Sequence, residues 1–164
     1  MDHLQWLPSI VTLAEHNGDW DAYMEAQYGT FSAAFIQSKP TIFNPKRWAM
    51  KRHPLSLNKE ATFWHVTSEG RTEEDRVPDM RRMERVGWIR PMIDRCRSNN
   101  HVCCWPSERR GECRPNIAVP DFSYIVVLED HDEYIMLWTA FYVERESQRQ
   151  KFRKQWEEAH KKRA

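Results

Sequence analysis

The chain has 164 residues and a mass of 19.8 kDa, the size of one ordinary domain that buries a core without disulfide or metal cross-links. No window approaches the roughly 18 uninterrupted apolar residues of a membrane span, and the start lacks a signal peptide, so we expect a soluble, cytoplasmic protein with no membrane partner. A hydrophobic content of 40%, with 12% aromatics and only 5 glycines, excludes disordered and collagen-like chains.

The net charge of +1 conceals an uneven distribution along the chain. Residues 1–38 carry −5, with no Lys or Arg, so residues 39–164 carry +6. Arg outnumbers Lys by 17 to 8, and its planar guanidinium matches phosphate oxygens in pairs. The basic part favours an anionic ligand, although interleaved acids and bases are more often a solvated, salt-bridged surface.

The first predicted element is an amphipathic helix within the acidic region 1–38. Its core-facing side chains recur at steps of three and four residues, as a helix that buries one stripe requires. They are Trp20, Tyr23, Met24, Gln27, Tyr28 and Phe31. A connector rich in proline and basic residues follows over 39–59.

A strand is predicted next over residues 61–67, because Phe63, His65 and Thr67 alternate with Trp64 and Val66. In such a strand His65 and Thr67 share one face.

A short helix is predicted from Val77, with a proline near its first turn. Its apolar stripe is Met80, Met83 and Val86, and its basic stripe is Arg81, Arg82 and Arg85. Gly87 is expected to end this helix, and residues 91–97 are expected to form another turn or two.

Four cysteines, Cys96, Cys103, Cys104 and Cys113, lie in one stretch with His101. Their spacing differs from the paired spacing of zinc fingers and ribbons, and two adjacent cysteines would point to opposite faces of an extended chain. Reduced, partly buried thiols are therefore predicted in preference to a metal site, and no cofactor is expected.

The rest of the chain predicts three strands, at 112–119, 123–129 and 133–143, with a hairpin turn at 130–132. On the last strand, strict alternation puts Trp138, Ala140 and Tyr142 on one face and Thr139 and Phe141 on the other. Both faces are mostly apolar, so this strand is expected to be central.

The C-terminal region 145–164 predicts a basic helix, with eight Lys or Arg against three Glu. Phe152 and Trp156 lie four residues apart and can dock one side of it. The whole chain thus predicts a single α+β domain, in which N- and C-terminal helices pack on a twisted antiparallel sheet that ends in a meander. Residues 61–143 form its sheet-bearing core.

Several enzyme classes lose their motif support. There is no glycine-rich dinucleotide or phosphate loop, no serine between glycines at a nucleophile elbow, and no paired-histidine metalloprotease helix. The remaining His, Thr, Arg, Tyr and Trp side chains are those of a metal-independent ribonuclease, which needs a base, an acid and cations around a phosphorane.

The roles follow from side-chain chemistry. His65 can move a proton near neutral pH, the hydroxyls can donate to phosphate, guanidiniums can neutralise charge, and aromatic rings can stack on bases. The predicted catalytic residues are His65, Thr67, Arg82, Thr139 and Tyr142. The predicted RNA-binding residues are Arg81, Arg85, Trp105, Arg110, Arg114 and Arg149. Glu84 is expected to orient a neighbouring arginine.

Three runs carry a family resemblance: 63–67 (FWHVT), 78–85 (PDMRRMER), and 121–124 (DFSY) taken together with 138–142 (WTAFY). They resemble phage and prophage proteins grouped with the nuclease superfamily that unites barnase, EndoU, the tRNA-cleaving colicin domains and RelE. The resemblance implies a compact sheet with helices on one side, acting on RNA without a metal in a bacterial host cell. It also implies a toxin-like activity on RNA such as tRNA. The chain departs from this pattern after the last strand, where relatives have a histidine and residues 146–149 read ESQR.

Two other functions stay open. A histidine followed two residues later by threonine on a strand also resembles the first nicotinamide-contacting strand of ADP-ribosyltransferases, which need a later glutamate and NAD. The division into acidic and basic regions would also suit a phage-encoded protein that binds or inhibits a host protein, or that is held by a cognate antitoxin.

Overall fold

The computed structural model describes residues 4–98 and 101–163. A short 3-10 helix, Leu13–His16, precedes the first long helix, and the elements follow in the order α1 Trp20–Phe35, β1 Arg47–Met50, α2 Ala61–Thr67, β2 Ser68–Glu69, β3 Val77–Pro78, α3 Met80–Met83, α4 Val86–Asp94, β4 Cys103–Arg109, β5 Glu112–Ala118, β6 Tyr124–Asp130, β7 Tyr134–Tyr142 and α5 Glu146–Arg163. No helix in these described ranges is long and apolar enough to cross a bilayer.

The main sheet has five strands in the order β1-β7-β6-β5-β4. Strands β4 to β7 form an antiparallel meander, as predicted for the last three, and β7 has a neighbour on each side. The α+β class is confirmed. Strands β1 and β4 were not predicted, and β1 pairs parallel to β7, which makes the sheet mixed. β1 is only four residues long and lies in the predicted connector, so it offers little alternation to detect.

Helix α1 forms where its periodic stripe predicted it. The Asp19 side chain accepts a hydrogen bond from the Ala22 amide at 3.1 Å and caps the first turn. Tyr23 and Phe31 are fully buried, and the buried Gln27 amide donates to the Met83 carbonyl at 2.6 Å. The stripe thus joins α1 to α3 and α4.

Residues 61–67 form helix α2, so the predicted strand is wrong. The Thr62 amide and hydroxyl both donate to the Lys51 carbonyl, which starts the helix, while Phe63 and Val66 both reach the core. A run of seven residues is too short for periodicity to distinguish a strand from a helix, and tertiary contacts decide. His65 and Thr67 consequently do not share a strand face.

The prediction that Gly87 ends the preceding helix is wrong, because Gly87 lies inside α4. A Cβ atom there would lie 3.4 Å from the Pro8 side chain, an ordinary van der Waals contact. The helix predicted from Val77 corresponds to α3, whereas α4 begins at Val86, includes Pro91 and extends into the second predicted segment, 91–97.

The sheet separates two clusters of apolar side chains. Helices α1, α2 and α4 cover one face together with Tyr124, Val126 and Leu128 of β6. Helix α5 covers the opposite face through Phe152 and Trp156, as its spacing predicted. Helices therefore lie on both faces, whereas the family resemblance implies one.

A β-bulge interrupts β7 at Trp138. Val127 pairs with Thr139 and Leu128 pairs with Leu137, so Trp138 is an extra residue in the ladder. Beyond the bulge the alternation is reversed, as an inserted residue requires. Trp138 packs with the α5 cluster and Ala140 with the larger core, so the prediction of a shared face is wrong.

Candidate functional site

A cleft of about 190 Å³ lies where the C-terminal end of α2 meets the bulge of β7. Its walls are His65, Glu69, Gly70, Arg76, Arg82, Trp138 and Thr139. Three of the five predicted catalytic residues, His65, Arg82 and Thr139, are thus brought together. Two basic side chains and one histidine in a small polar cleft can receive an anion of the size of a phosphate.

His65 is held by Glu73, which the sequence reasoning missed. The imidazole Nε2 lies 2.8 Å from Glu73 Oε1, and the His65 side chain is only 6% exposed. Burial lowers the pKa of His65 and outweighs the opposing effect of Glu73. Burial acts to raise the pKa of Glu73, but the hydrogen bond and charge of His65, with Arg76 and Lys51, bring that pKa below its ordinary value.

These shifts define the protonation states near neutral pH. Glu73 is ionised and can only accept, so a neutral His65 places its proton on Nε2 and donates to the carboxylate. Nδ1 of His65 is then unprotonated and basic. This is the arrangement in which a carboxylate orients a histidine base.

Cations converge on the same carboxylate. Arg76 Nε lies 3.7 Å and Lys51 Nζ 4.0 Å from the oxygens of Glu73. Arg76 also donates from Nη1 to the Ser68 carbonyl at 3.1 Å. Arg82 Nε faces a carboxylate as well, 3.5 Å from Asp79, so each guanidinium is anchored on its Nε side by an acid.

Arg82 and Thr139 also close the end of α2. The Thr139 hydroxyl donates to the His65 carbonyl at 2.9 Å, and Arg82 Nη1 donates to the same carbonyl at 3.2 Å and to that of Ser68 at 2.8 Å. These bonds satisfy carbonyls that a helix leaves unpaired. Both side chains therefore have a structural role that the sequence did not indicate.

Thr67 lies outside the cleft. Its side chain is fully buried, and its hydroxyl donates to the Phe63 carbonyl one helical turn earlier, at 2.8 Å. A threonine on a strand beside His65 could face a substrate, whereas this one points back along its own helix.

Trp138 connects the cleft to a second polar group on the sheet. Its ring meets His65 edge to face at 5.4 Å, and the Arg114 guanidinium lies 4.9 Å from its centroid. Arg114 pairs with the buried Glu129 at 3.3 Å, and His131 Nε2 lies 2.9 Å from the other oxygen of Glu129. A second histidine–carboxylate pair therefore accompanies the predicted RNA-binding residue Arg114, in the predicted hairpin turn, whose histidine was not among the predicted site residues.

Tyr142 lies away from the cleft, among three of the predicted RNA-binding arginines. The guanidiniums of Arg81, Arg85 and Arg149 are 5.2, 4.6 and 5.6 Å from its ring centroid. Arg149 Nη2 also donates to the Tyr142 hydroxyl at 3.1 Å. Arg85 is buried and paired with Glu84 at 3.1 Å, consistent with the orienting role predicted for that acid.

The other two predicted RNA-binding residues have different surroundings. Trp105 is 3% exposed, packs against Phe122 and Phe152, and donates from Nε1 to Gln155. Its ring faces are occupied by the core beneath α5. Arg110 is exposed, in the β4–β5 turn, with a left-handed φ of 54°.

The cysteines Cys96, Cys103, Cys104 and Cys113 are free thiols. In residues 4–98 and 101–163, no group of three or more His, Cys, Asp or Glu side chains is placed to hold a metal ion.

No protein-family model, curated protein or solved structure matches this chain.

Proposed function

We propose that the protein binds single-stranded RNA at the His65 cleft and cleaves it without a metal ion. The observation that carries this proposal is the pair of His65 and Glu73 in a cleft walled by two arginines. A buried, neutral histidine oriented by a carboxylate is suited to take a proton, and the adjacent cations are suited to a phosphate.

In the proposed reaction, Nδ1 of His65 accepts the proton of a ribose 2'-hydroxyl. The 2' oxygen then forms a bond to phosphorus while the bond to the 5' oxygen breaks, which gives a 2',3'-cyclic phosphate. The leaving 5' oxygen takes up a proton from solvent, and the imidazolium later returns its proton to solvent. Arg76 and Arg82 stabilise the charge on the phosphorane oxygens. Trp138 offers an aromatic ring for an adjacent base.

The test is incubation of purified protein with total RNA and with tRNA in chelator, read on a denaturing gel. Wild type is expected to give discrete fragments with cyclic phosphate ends, and His65→Gln to cleave at least about 100-fold more slowly, the usual contribution of a positioned base. Glu73→Gln is expected to slow cleavage less and to change its pH profile. His160→Gln, on the exposed face of α5, is the matched control and should cleave like wild type.

Cleavage that persists unchanged in His65→Gln would place the activity elsewhere or in a contaminant. A folded wild-type protein that leaves all RNA intact would contradict the catalytic proposal.

A second candidate function, RNA binding without cleavage, has its own support. The hydroxyls of Thr67 and Thr139 and one nitrogen of Arg82 are engaged by backbone carbonyls, which reduces the donors free for a transition state. This function predicts salt-sensitive binding to single-stranded RNA with no fragments, because cations that contact phosphates release counterions. The ADP-ribosyltransferase alternative loses its basis, since it relied on a strand at residues 61–67.

A further inference from the structure

A groove of about 550 Å³ lies between the end of α1 and the edge strand β1, and the His65 cleft shares no residue with it. Residues 35–39 form one wall, and β1 with Arg52 forms the other. Among the described residues β1 is the edge strand of the sheet, beside β7, and its four residues line this groove. The volume is within the range of about 300–1,000 Å³ that small-molecule sites occupy.

The groove is basic. Lys39, Arg47 and Arg52 line it, and no Asp or Glu does. Across residues 4–98 and 101–163, none of these three cations forms an ion pair. Arg47 contacts the Tyr134 ring at 5.5 Å, an interaction that leaves its charge uncompensated. Three cations without a carboxylate partner raise the local potential and favour an anion.

The helix end beside the groove does not oppose an anion. Exposed carbonyls at the C-terminus of α1 would repel negative charge, but two of them are bonded. The Ser38 hydroxyl donates to the Ala33 carbonyl at 2.7 Å, and Arg90 Nη1 donates to that of Ala34. Arg90 Nη2 also donates to the Lys39 carbonyl at 3.0 Å. Arg90 also pairs with Asp94 at 3.0 Å, so what it supplies to the helix end is hydrogen bonds to these carbonyls.

Aromatic side chains supply the apolar part of the groove. Trp48 lines it and stacks near-parallel to Phe35, with centroids 5.9 Å apart. The Trp48 indole Nε1 is buried, and among the described residues it has no hydrogen-bond partner. Phe43 also stacks on Trp48, with ring centroids 6.2 Å apart, so Trp48 offers the groove the partly exposed remainder of its indole ring.

We propose that this groove binds a nucleoside phosphate. The cations recognise the phosphate, and the apolar wall that includes Trp48 and Met50 contacts the base or sugar. The same chemistry is offered by a free mononucleotide and by one nucleotide of an RNA strand. The proposal stands on the groove alone and is independent of catalysis at His65.

The test measures binding of AMP, adenosine and a ten-residue oligoadenylate to the full chain by calorimetry. The groove variant is Lys39→Ala/Arg47→Ala/Arg52→Ala. Its control, with the same change in charge, is Lys151→Ala/Lys154→Ala/Lys161→Ala on the exposed part of α5. AMP is expected to bind more tightly than adenosine, and the groove variant to lose at least about tenfold in affinity while the control changes less than twofold.

The ligands distinguish a free nucleotide from an RNA strand as the occupant of the groove. Groove-dependent binding of AMP supports a free nucleotide, and groove-dependent binding of the oligoadenylate alone supports an RNA strand. Equal weakening by the two triple variants, equal affinity for AMP and adenosine, or no binding of either phosphate ligand would overturn the proposal. His65→Gln is expected to bind AMP like wild type. The binding result therefore tests the groove even if the protein does not cleave RNA.

Discussion

Replacing Arg82 with alanine separates its two possible roles, in the fold and in phosphate binding. Arg82 is one of five predicted catalytic residues, yet it donates to the His65 and Ser68 carbonyls at 3.2 and 2.8 Å. Its Nε also lies 3.5 Å from Asp79. Removing the guanidinium therefore loosens the end of α2, on which His65 is mounted.

The loss of stability in Arg82→Ala follows from the hydrogen bonds that Arg82 makes. A hydrogen bond from a charged donor contributes about 1.5–3 kcal/mol to stability. Each carbonyl retains a second donor, Thr139 for His65 and Arg76 for Ser68, so neither is left unpaired. We therefore expect Arg82→Ala to lower the free energy of unfolding by about 2 kcal/mol, below the sum of two such bonds.

Equilibrium unfolding in urea measures this loss in the free energy of unfolding. With a slope of about 2 kcal/mol/M, the midpoint should fall by about 1 M. Arg81→Ala is the matched control, because Arg81 is exposed and its guanidinium lies 5.2 Å from the Tyr142 ring, a contact of about 0.5–1 kcal/mol. If Arg82→Ala unfolds at the same urea concentration as Arg81→Ala, the structural role is refuted and only a role in ligand binding remains.

Two further predictions concern titration and thiol access. The folded pKa of His65 is lowered by burial, so its neutral form contributes stability above pH about 6.5 that is lost as pH falls through the lower folded pKa. Urea unfolding at pH 7.5 and 5 should show this loss in wild type and a smaller one in His65→Gln; equal losses would contradict it. Burial raises the pKa of the Cys96 thiol to about 11, so iodoacetamide at pH 8 should modify the exposed Cys113 first, as read by mass spectrometry. Faster labelling of Cys96 would contradict its burial.

The parts of the fold that the sequence predicted are those with long, uninterrupted patterns. Helix α1 has a stripe over several turns, and β5 to β7 are long strands separated by turn residues. Helix α2 is predicted as a strand because its seven residues fit both the helical and the strand period. The hydrogen bonds that start the helix are donated by Thr62 to the carbonyl of Lys51, 11 residues earlier in the chain. Local pattern alone does not include such a contact.

The candidate site was only partly predictable for a related reason. His65 was identified from the chemistry of its side chain. Glu73 and Arg76 lie in the loop between the two-residue strands β2 and β3, where no helical or strand periodicity indicates which way a side chain points. The backbone of this loop approaches Gly70 closely, since a Cβ there would lie 2.9 Å from the Arg76 Cα. A glycine at position 70 allows this approach, which becomes visible only in three dimensions.

The bulge at Trp138 decides which predicted residues can act on one ligand. Strict alternation predicts Trp138 and Tyr142 on the same face of β7. The inserted residue instead leaves Trp138 beside His65 and moves Tyr142 to the face where Arg81 and Arg149 surround it. A ligand phosphate in the cleft therefore meets His65 without Tyr142. The arginines around Tyr142 do not line the cleft, so in the proposed RNA complex they would contact phosphates other than the one at His65.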